Sequence, residues 1–540
     1  MEINEVTTQP CTDQRPGTAG LRKSVKRFQE PHYLANFIQS VFDTLPELRG
    51  ARMVLGGDGR FYNREAANII LRLAAANGVA ETVMGREALL STPAAAHLIQ
   101  REDAAGGFLL TASHNPGGPD GDFGIKFNVR GGGQASAALT EKIYARSCVI
   151  DRYRIAAQEP PPFDREGQYT LGPMTVRVVD PVQAHADLLE SCFDFSSIRQ
   201  LLETGFRFRF DALHAVTGPY AEEIFQRRLG ADASAVQNGQ PQPDFGGGHP
   251  DPNPVDARSF FVDCTGPKAP DLGTASDGDG DRNMIVHPDG MVSPCDSLAL
   301  IAAHHRCIPA LADGLAGVAR SMPTSRAVDA VAEDLGIPCY ETPTGWRFFA
   351  GLLDSGRIRL CGEESFGTSS DHVREKDGLW AILAWLQILA KKGCSVGELL
   401  ARHWQRYGRH YYQRQDYALE TSAGEQIMAR LSEQASRGHI RDEQGPLEID
   451  SFAYTDPVSG ESVSDQGIRA FTSDGGRIVF RLSGTGTQGA TLRMYLEQYA
   501  PPDKLPSGDP GMVLAPLAER ARILAKLATI AGKDRPDTMI

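Results

Sequence analysis

Short apolar runs, each followed by a glycine-rich or charged turn and then a helical stretch, recur along most of this chain. Arg52-Met53-Val54-Leu55 leads through Gly56-Gly57-Asp58-Gly59 to Asn63, which the pattern makes the N-cap of a helix ending near Asn77-Gly78. Gly107-Phe108-Leu109-Leu110 predicts a buried strand ahead of Thr111, and Phe206 to Phe210 predicts another, followed by Thr217-Gly218-Pro219 with Pro219 at the first helical position. Gly317-Val318-Ala319-Arg320 passes through Pro323-Thr324-Ser325 into a helix stopped at Gly336, and Ile358-Arg359-Leu360-Cys361 enters Gly362-Glu363-Glu364-Ser365. The segment Asp377 to Lys392 predicts an apolar helix ended by Gly393, with Trp380 and Trp385 as core residues. Such alternation implies α/β layers with at least partly parallel sheets. The last third differs: Gln413 to Ala418, Ile478 to Leu482 and Thr491 to Glu497 read as strands of an α+β module. There Leu492, Met494 and Leu496 alternate with Thr491, Arg493 and Tyr495, which turns Arg493 away from the apolar side.

Two segments carry candidate chemistry. In Asp277-Gly278-Asp279-Gly280-Asp281-Arg282, carboxylates at every second position in a glycine-rich turn converge as hard oxygen ligands for a divalent cation, with a fixed positive charge beside them. An EF-hand loop begins the same way, but its sixth and twelfth positions call for Gly and Glu, and here they hold Arg282 and Pro288. Thr111-Ala112-Ser113-His114-Asn115-Pro116-Gly117-Gly118 follows a predicted strand and ends in a forced turn, displaying Ser113 at a strand tip, where α/β proteins collect their chemistry. His114 and, downstream, Lys126 lie close by in sequence.

These segments, with Cys361 to Gly367 (CGEESFG) and Arg481 to Arg493 (RLSGTGTQGATLR), occur in the order found in the α-D-phosphohexomutases, and the chain resembles that family over roughly residues 12 to 500. Further matches are Arg15 to Lys23, Gly56 to Arg60, Ser321 to Ser325, Thr342 to Trp346 and Ser370 to Trp380; GEESFG and SSDHVREKDGLW favour the phosphoglucomutase branch found in animals and many bacteria. Arg347 stands where Lys is expected and Thr487 where Ser is common, so charge and hydroxyl are both retained. The resemblance implies an α/β fold of four domains around a central cleft. Three are similar α/β units with mixed sheets, at 1–186 with the phosphoserine loop, 187–305 with the metal loop and 306–405 with the sugar loop. The fourth, at 406–540, is a smaller α+β domain with a phosphate loop.

The implied activity is reversible interconversion of α-D-glucose 1-phosphate and glucose 6-phosphate through phosphorylated Ser113 and a glucose 1,6-bisphosphate intermediate that also serves as activator. Asp277, Asp279, Asp281 and Ser113 would hold Mg2+, while Arg22 and Arg282 stabilise negative charge. For proton transfer the chain offers His114, Lys126, His372 and Lys376; Lys376 and Lys126 are favoured, on the expectation that cation-rich surroundings depress their pKa values. Glu363 and Ser365 would grip sugar hydroxyls in both orientations of the hexose, with Glu364 as the partner of a nearby arginine in the alternative reading. Ser483, Gly484, Thr485, Gly486 and Thr487, flanked by Arg481 and Arg493, look like an anion nest for the second phosphate, joined by Thr344 and Gly345 from the third unit.

Composition narrows the remaining classes. At 540 residues the chain exceeds one ordinary core, and 41% hydrophobic with 23% charged residues suits a globular protein. A formal charge of −13 argues against nucleic-acid binding, and no run of about 20 apolar residues predicts a membrane span. The polar first ten residues do not resemble a signal peptide. Nine scattered cysteines without a Cys-x-x-Cys pair read as reduced thiols of a cytoplasmic enzyme. The expected partners are small sugar phosphates, with no nucleic acid and no membrane, and a monomer is expected with a dimer as the alternative. Relatives acting on mannose, pentose or N-acetylglucosamine phosphates, a metal-dependent phosphatase and a catalytically silent scaffold are the competing readings.

Overall fold

The computed structural model describes every residue except Thr18, Thr487, Gln488, Ser507 and Gly508, and the side chains of residues 484–486 are likewise outside the description. Its strands assemble four principal sheets. The first has seven strands, in the order Leu21–Ser24, Asp122–Val129, Gly106–Leu110, Arg52–Gly57, Glu81–Leu89, Met174–Val179 and Gly167–Leu171. The second has five, with Phe208–Asp211 parallel to Leu272–Ala275, and the latter antiparallel to Met284–His287. In the third, of four strands, Val318–Ser321 runs parallel to Leu360–Glu363, which is antiparallel to Gly367–Ser370. The last is a seven-stranded antiparallel sheet built around Gly476–Gly486 and Gly489–Ala500, with helices Thr421–Ala435 and Pro510–Ala525.

One topological rule unites the first three sheets. In each, a buried strand that is parallel to one neighbour turns directly into an antiparallel strand: Gly106–Leu110 into Asp122–Val129, Leu272–Ala275 into Met284–His287, and Leu360–Glu363 into Gly367–Ser370. The loops at these three switches contain Ser113, the aspartate triplet and Glu364-Ser365. Three similar units therefore present three different chemistries from one loop position.

The helix Gly378–Lys392 lies at the centre of the largest apolar cluster, with Trp380 and Trp385 fully buried. It begins because the Asp377 carboxylate accepts the Trp380 N–H at 3.1 Å, and ends at Gly393 in the left-handed region (φ 60°). Helix Pro294–Ala303 packs on helix Ala327–Leu335 and strand Leu360–Glu363 of the third sheet. Among the described residues no single helix is long and apolar enough to cross a membrane.

Several local expectations shift. Asn63 is the first residue of helix Asn63–Ala76, not its cap, because its amide turns inward to donate to the Ala88 carbonyl at 3.1 Å. Pro219 is the third residue of helix Thr217–Ala221, still within the first turn, where N–H groups have no helical partner. The third-sheet strand starts at Leu360, not Ile358, and runs through Glu363. Tyr495 and Glu497, on the strand face read as polar, are buried because that face docks on the third unit. There Arg477 donates to Glu497 at 2.6 Å and to the carbonyls of Met322 and Thr324.

Candidate active site

Ser113 lies three residues beyond a fully buried strand, in the left-handed region (φ 53°) that non-glycine residues seldom adopt. Its neighbours hold it there. The Ser113 N–H donates to Thr111 Oγ1 at 2.7 Å, the Thr111 hydroxyl donates to Asp58 Oδ2, and Asp58 forms a wholly buried ion pair with Arg60 at 2.9 Å. Arg60 then donates to the Ser113 carbonyl at 2.7 Å and to the Asp122 carbonyl at 2.9 Å. Sequence reasoning gave Asp58, Arg60 and Thr111 no role, although the first two stand in a matched Gly-Gly-Asp-Gly-Arg segment.

The aspartate turn presses against this loop. A Cβ at Gly278 would come within 2.3 Å of the Ser113 carbonyl oxygen, so only glycine permits the approach. Ser113 Oγ donates to Asp277 Oδ2 at 2.7 Å, while Asp277 Oδ1 accepts the N–H groups of Asp281 and Arg282 at 2.9 and 3.0 Å. Asp279 Oδ2 accepts Lys126 Nζ and Thr92 Oγ1, each at 2.7 Å, and Lys376 Nζ meets Asp281 Oδ2 at 3.1 Å. One ligand oxygen from each aspartate lies within 4.8 Å of the others, and Oδ1 of both Asp279 and Asp281 is buried without a hydrogen-bond partner among the described residues. Three buried carboxylates with oxygens to spare fit a hard divalent cation. Without one their charges repel, and burial followed by Asp281 and Asp279 pushes Asp277 far above the usual carboxylate range. Burial acts the same way on Asp279, but the Lys126 ammonium overcomes it and holds that carboxyl low.

The expected depression of the Lys126 pKa is not found. Burial lowers it, but Asp279, Asp281 and Glu375 outweigh that effect, and Lys126 is held as an ammonium ion above the ordinary lysine range. Its surroundings are anionic because the carboxylates come from distant parts of the chain. His372 is absorbed elsewhere: it stacks on Trp380, and its ring nitrogens meet Ser370 Oγ at 2.9 Å and Asp377 Oδ2 at 3.0 Å.

Arg22 and Arg282 both come to the Ser113 side of the cleft. Arg22 reaches Asn115 Oδ1 at 3.5 Å and Arg282 pairs with Asp251 at 2.9 Å, while the Nε of each is buried without a partner among the described residues. His114 Nδ1 lies 3.5 Å from Ser113 Oγ, and burial, then Arg282 and Arg22, hold the ring's pKa well below its ordinary value, so it is neutral. The site therefore holds two buried guanidinium N–H groups without a hydrogen bond among the described residues, that of Arg282 3.9 Å from Asp277 Oδ2, the acceptor of the Ser113 hydroxyl.

Glu363 is buried and accepts the Gly345 N–H at 2.9 Å; Thr344 Oγ1 is buried without a partner among the described residues, and Ser365 is half-buried. Burial raises the Glu363 pKa, with Lys376 opposing. A Cβ at Gly367 would come within 2.3 Å of Lys376 Cδ, which places the Lys376 stem across this loop. No arginine lies within ion-pair distance of Glu364 among the described residues, though Arg481 acts on it electrostatically; hydroxyls hold it, as Ser321 donates to its carboxylate at 3.2 Å and its own N–H donates to Thr324 Oγ1 at 2.9 Å. In the last unit Arg481 and Arg493 occupy paired positions on adjacent strands, followed by Ser483, whose hydroxyl reaches the Thr491 carbonyl at 3.4 Å. Gly484, Thr485 and Gly486 continue the strand in backbone. The Thr485 side chain and all of Thr487 lie outside the described residues. Arg493 acts electrostatically on His114, and Arg481 on Glu364 and Glu363, so this unit faces the same cleft.

A strand-tip serine against a buried carboxylate triplet, ringed by lysines and arginines from separate α/β units, has the make-up of a metal-assisted phosphoryl-transfer centre. Family models match nearly the whole chain: phosphoglucomutase/phosphomannomutase alpha/beta/alpha domains I, II and III over residues 13–154, 183–290 and 294–407, and the phosphoglucomutase-1 C-terminal domain over 409–537. The chain belongs to the phosphoglucomutase/phosphomannomutase family. It is 50% identical to a phosphoglucomutase of Rhizobium radiobacter over 92% of this chain and 93% of that one, and 46% identical to phosphoglucomutase-1 of Bos taurus over 99% of each. The open form of the exocytosis-sensitive phosphoprotein pp63/parafusin, a phosphoglucomutase from Paramecium, superimposes with a TM-score of 0.91 at 42% identity, covering 100% of this chain and 99% of that one.

Proposed function

We propose that this protein is a phosphoglucomutase that interconverts α-D-glucose 1-phosphate and glucose 6-phosphate by way of phosphorylated Ser113 and bound glucose 1,6-bisphosphate. The observation that carries the reading is Ser113 Oγ, 2.7 Å from Asp277 in the aspartate triplet, in a site whose Arg22 and Arg282 Nε groups are buried without a hydrogen bond among the described residues. Asp277, Asp279 and Asp281, with a phosphoserine oxygen, would hold Mg2+, which when bound supplies Lewis-acid neutralisation of the phosphoryl oxygens.

In the forward direction the sugar O6 attacks the phosphorus on Ser113. The O6–P bond forms as the Oγ–P bond breaks, and the O6 hydroxyl proton is handed to the protein. Arg22 and Arg282 complete their hydrogen bonding on the transferring group, the Lys126 ammonium ion neutralises charge there, and Lys376 is the group that takes the O6 proton and later returns one to O1. Glu363, with Ser365, holds the hexose hydroxyls, and Arg481, Arg493 and Ser483 to Thr487, of which Thr487 lies outside the described residues, hold the other phosphate. After the bisphosphate turns over, its O1 phosphoryl group returns to Ser113 Oγ, O1 is protonated, and glucose 6-phosphate leaves. Because each phosphate visits both sites, the two anion sites must be alike in charge, as the two arginine pairs are.

The acidic overall balance, −13, argues against a nucleic-acid partner, and the proposal takes the protein to be a cytoplasmic enzyme of small sugar phosphates, monomeric with a dimer as the alternative and without a membrane partner. The test is a coupled assay of glucose 1-phosphate conversion with and without catalytic glucose 1,6-bisphosphate. Turnover that rises on adding the bisphosphate and vanishes on chelating magnesium supports the reading. Hydrolysis to free glucose and phosphate would make the protein a phosphatase.

A further inference from the structure

Glu375 is completely buried, and no cation lies within ion-pair distance of it among the described residues. A carboxylate so placed costs folding energy unless its oxygens are satisfied. Two amides of the first unit satisfy them: Asn128 Nδ2 donates to Oε1 and Gln134 Nε2 donates to Oε2, each at 2.9 Å. The same Asn128 amide donates to the Gly132 carbonyl at 2.8 Å, so it cannot rotate to offer its oxygen without losing that bond.

The placement of these partners is what matters. Asn128 stands two residues beyond Lys126 on strand Asp122–Val129, hence on the same face of the sheet. Glu375 immediately precedes Lys376. Lys126 and Lys376, from different units, meet on one atom, Asp281 Oδ2, at 3.5 and 3.1 Å. The flanking residues are fastened away from the Lys126 strand: Arg374 to Asp354 and to the Asp371 carbonyl, Asp377 to the start of the following helix and, at 3.0 Å each, to His372 and His185. Among the described residues, Glu375 is the side chain of this run that hydrogen-bonds the strand carrying Lys126, Asp122–Val129.

We infer that Glu375 is a positioning residue for the mutase reaction, a buried carboxylate whose two amide bonds fix Lys376 of the third unit in register with Lys126 of the first. It touches no reacting atom and acts through Lys376. The inference rests on the proposed placement of both lysines at the chemistry.

The test is a kinetic double-mutant cycle in the full-length protein, with Glu375→Ala, Lys376→Ala and the pair, read as kcat and KM for glucose 1-phosphate alongside melting temperature. Glu375→Ala should lower kcat about 10- to 100-fold with KM changed less than about threefold, and should add no further loss in the Lys376→Ala background. Glu375→Gln should recover most of kcat, because Gln134 can turn its amide to offer an oxygen. If Glu375→Ala fails to fold, Asn128→Ala and Gln134→Ala replace it and should show the same split. A folded Glu375→Ala enzyme with unchanged kcat, or with losses that multiply those of Lys376→Ala, overturns the inference. Full activity in Lys376→Ala would instead overturn the proposed role of Lys376 itself.

Discussion

Arg481 and Arg493 stand directly opposite one another across two antiparallel strands. Like charges so placed destabilise a sheet. Among the described residues neither makes a close ion pair: Arg481 hydrogen-bonds the Tyr495 hydroxyl at 3.4 Å and feels Glu364 and Glu363 at longer range, and Arg493 Nε lies 3.8 Å from Asp416 without a hydrogen bond. A dianion between them would offset that repulsion, which is the physical case for the proposed phosphate site.

Arg493→Ala should therefore lower kcat/KM by roughly 10- to 150-fold, the equivalent of one charge-assisted hydrogen bond of about 1.5–3 kcal/mol. Magnesium affinity should be unchanged, dependence on added glucose 1,6-bisphosphate should rise, and the free protein should melt no lower, since a like-charge pair is removed. Unchanged kcat/KM and no increase in intermediate release would move the second phosphate site elsewhere.

Asp279→Asn removes a negative ligand and also the closest partner of buried Lys126, at 2.7 Å. Magnesium binding, followed by titration calorimetry, should weaken, and turnover should fall by at least about 100-fold. Stability should fall as well, by an amount approaching the 3–5 kcal/mol typical of breaking a buried pair and reduced because Asp281 remains 3.5 Å from Lys126. A variant with wild-type metal affinity would remove Asp279 from the ligand set.

Glu363→Gln should slow both half-reactions, because one carboxylate is proposed to hold the hexose in each orientation. Its side-chain oxygen can still accept the Gly345 N–H, so the loop should keep its shape and the melting temperature should hold. Single-turnover measurements begun from glucose 1-phosphate and from glucose 6-phosphate should show losses of similar size. Loss in only one direction would rule out a shared grip.

His403 sets a pH dependence of stability. It is buried in helix Val396–Tyr407 with Nδ1 unpartnered among the described residues, and burial, followed by His304 and His410, pushes its pKa down from 6.5 to about 4. The folded protein therefore resists protonation that the unfolded chain accepts. Its contribution is complete above about pH 6.5 and is lost as the pH falls toward 4, the loss reaching about 2 kcal/mol by pH 5. His403→Phe should flatten the drop in urea midpoint between pH 7.5 and pH 5. An unchanged drop would assign it to other groups.

What was legible in the sequence, and what was not, follows from distance along the chain. The serine loop, the aspartate turn and the glutamate loop are each contiguous, so residue type and spacing displayed their chemistry. The support of Ser113 by Asp58 and Arg60, the contact of Thr92 with Asp279, and the hold of Asn128 on Glu375 join residues far apart in sequence; no local signal announces them. The same cause explains the reversed expectation for Lys126, whose anionic neighbours arrive from the second and third units. On the strand Gly489–Ala500, alternation found the apolar face correctly, but the opposite face is also buried at Tyr495 and Glu497 by docking between units. Asn63 shows the local limit, since a residue type that favours caps turned its side chain to a carbonyl made available by tertiary packing.

The central claim is that Ser113 carries the phosphoryl group. Enzyme labelled with radioactive phosphate from glucose 1,6-bisphosphate, freed of ligand and chased in a single turnover with unlabelled glucose 1-phosphate, tests it most directly. The account predicts that label leaves Ser113 at the rate of turnover and appears on O6 of the sugar, and that Ser113→Ala, although folded, takes up no label and forms no product. Product formed at the normal rate while the label stays on the protein, or normal turnover by Ser113→Ala, would contradict it.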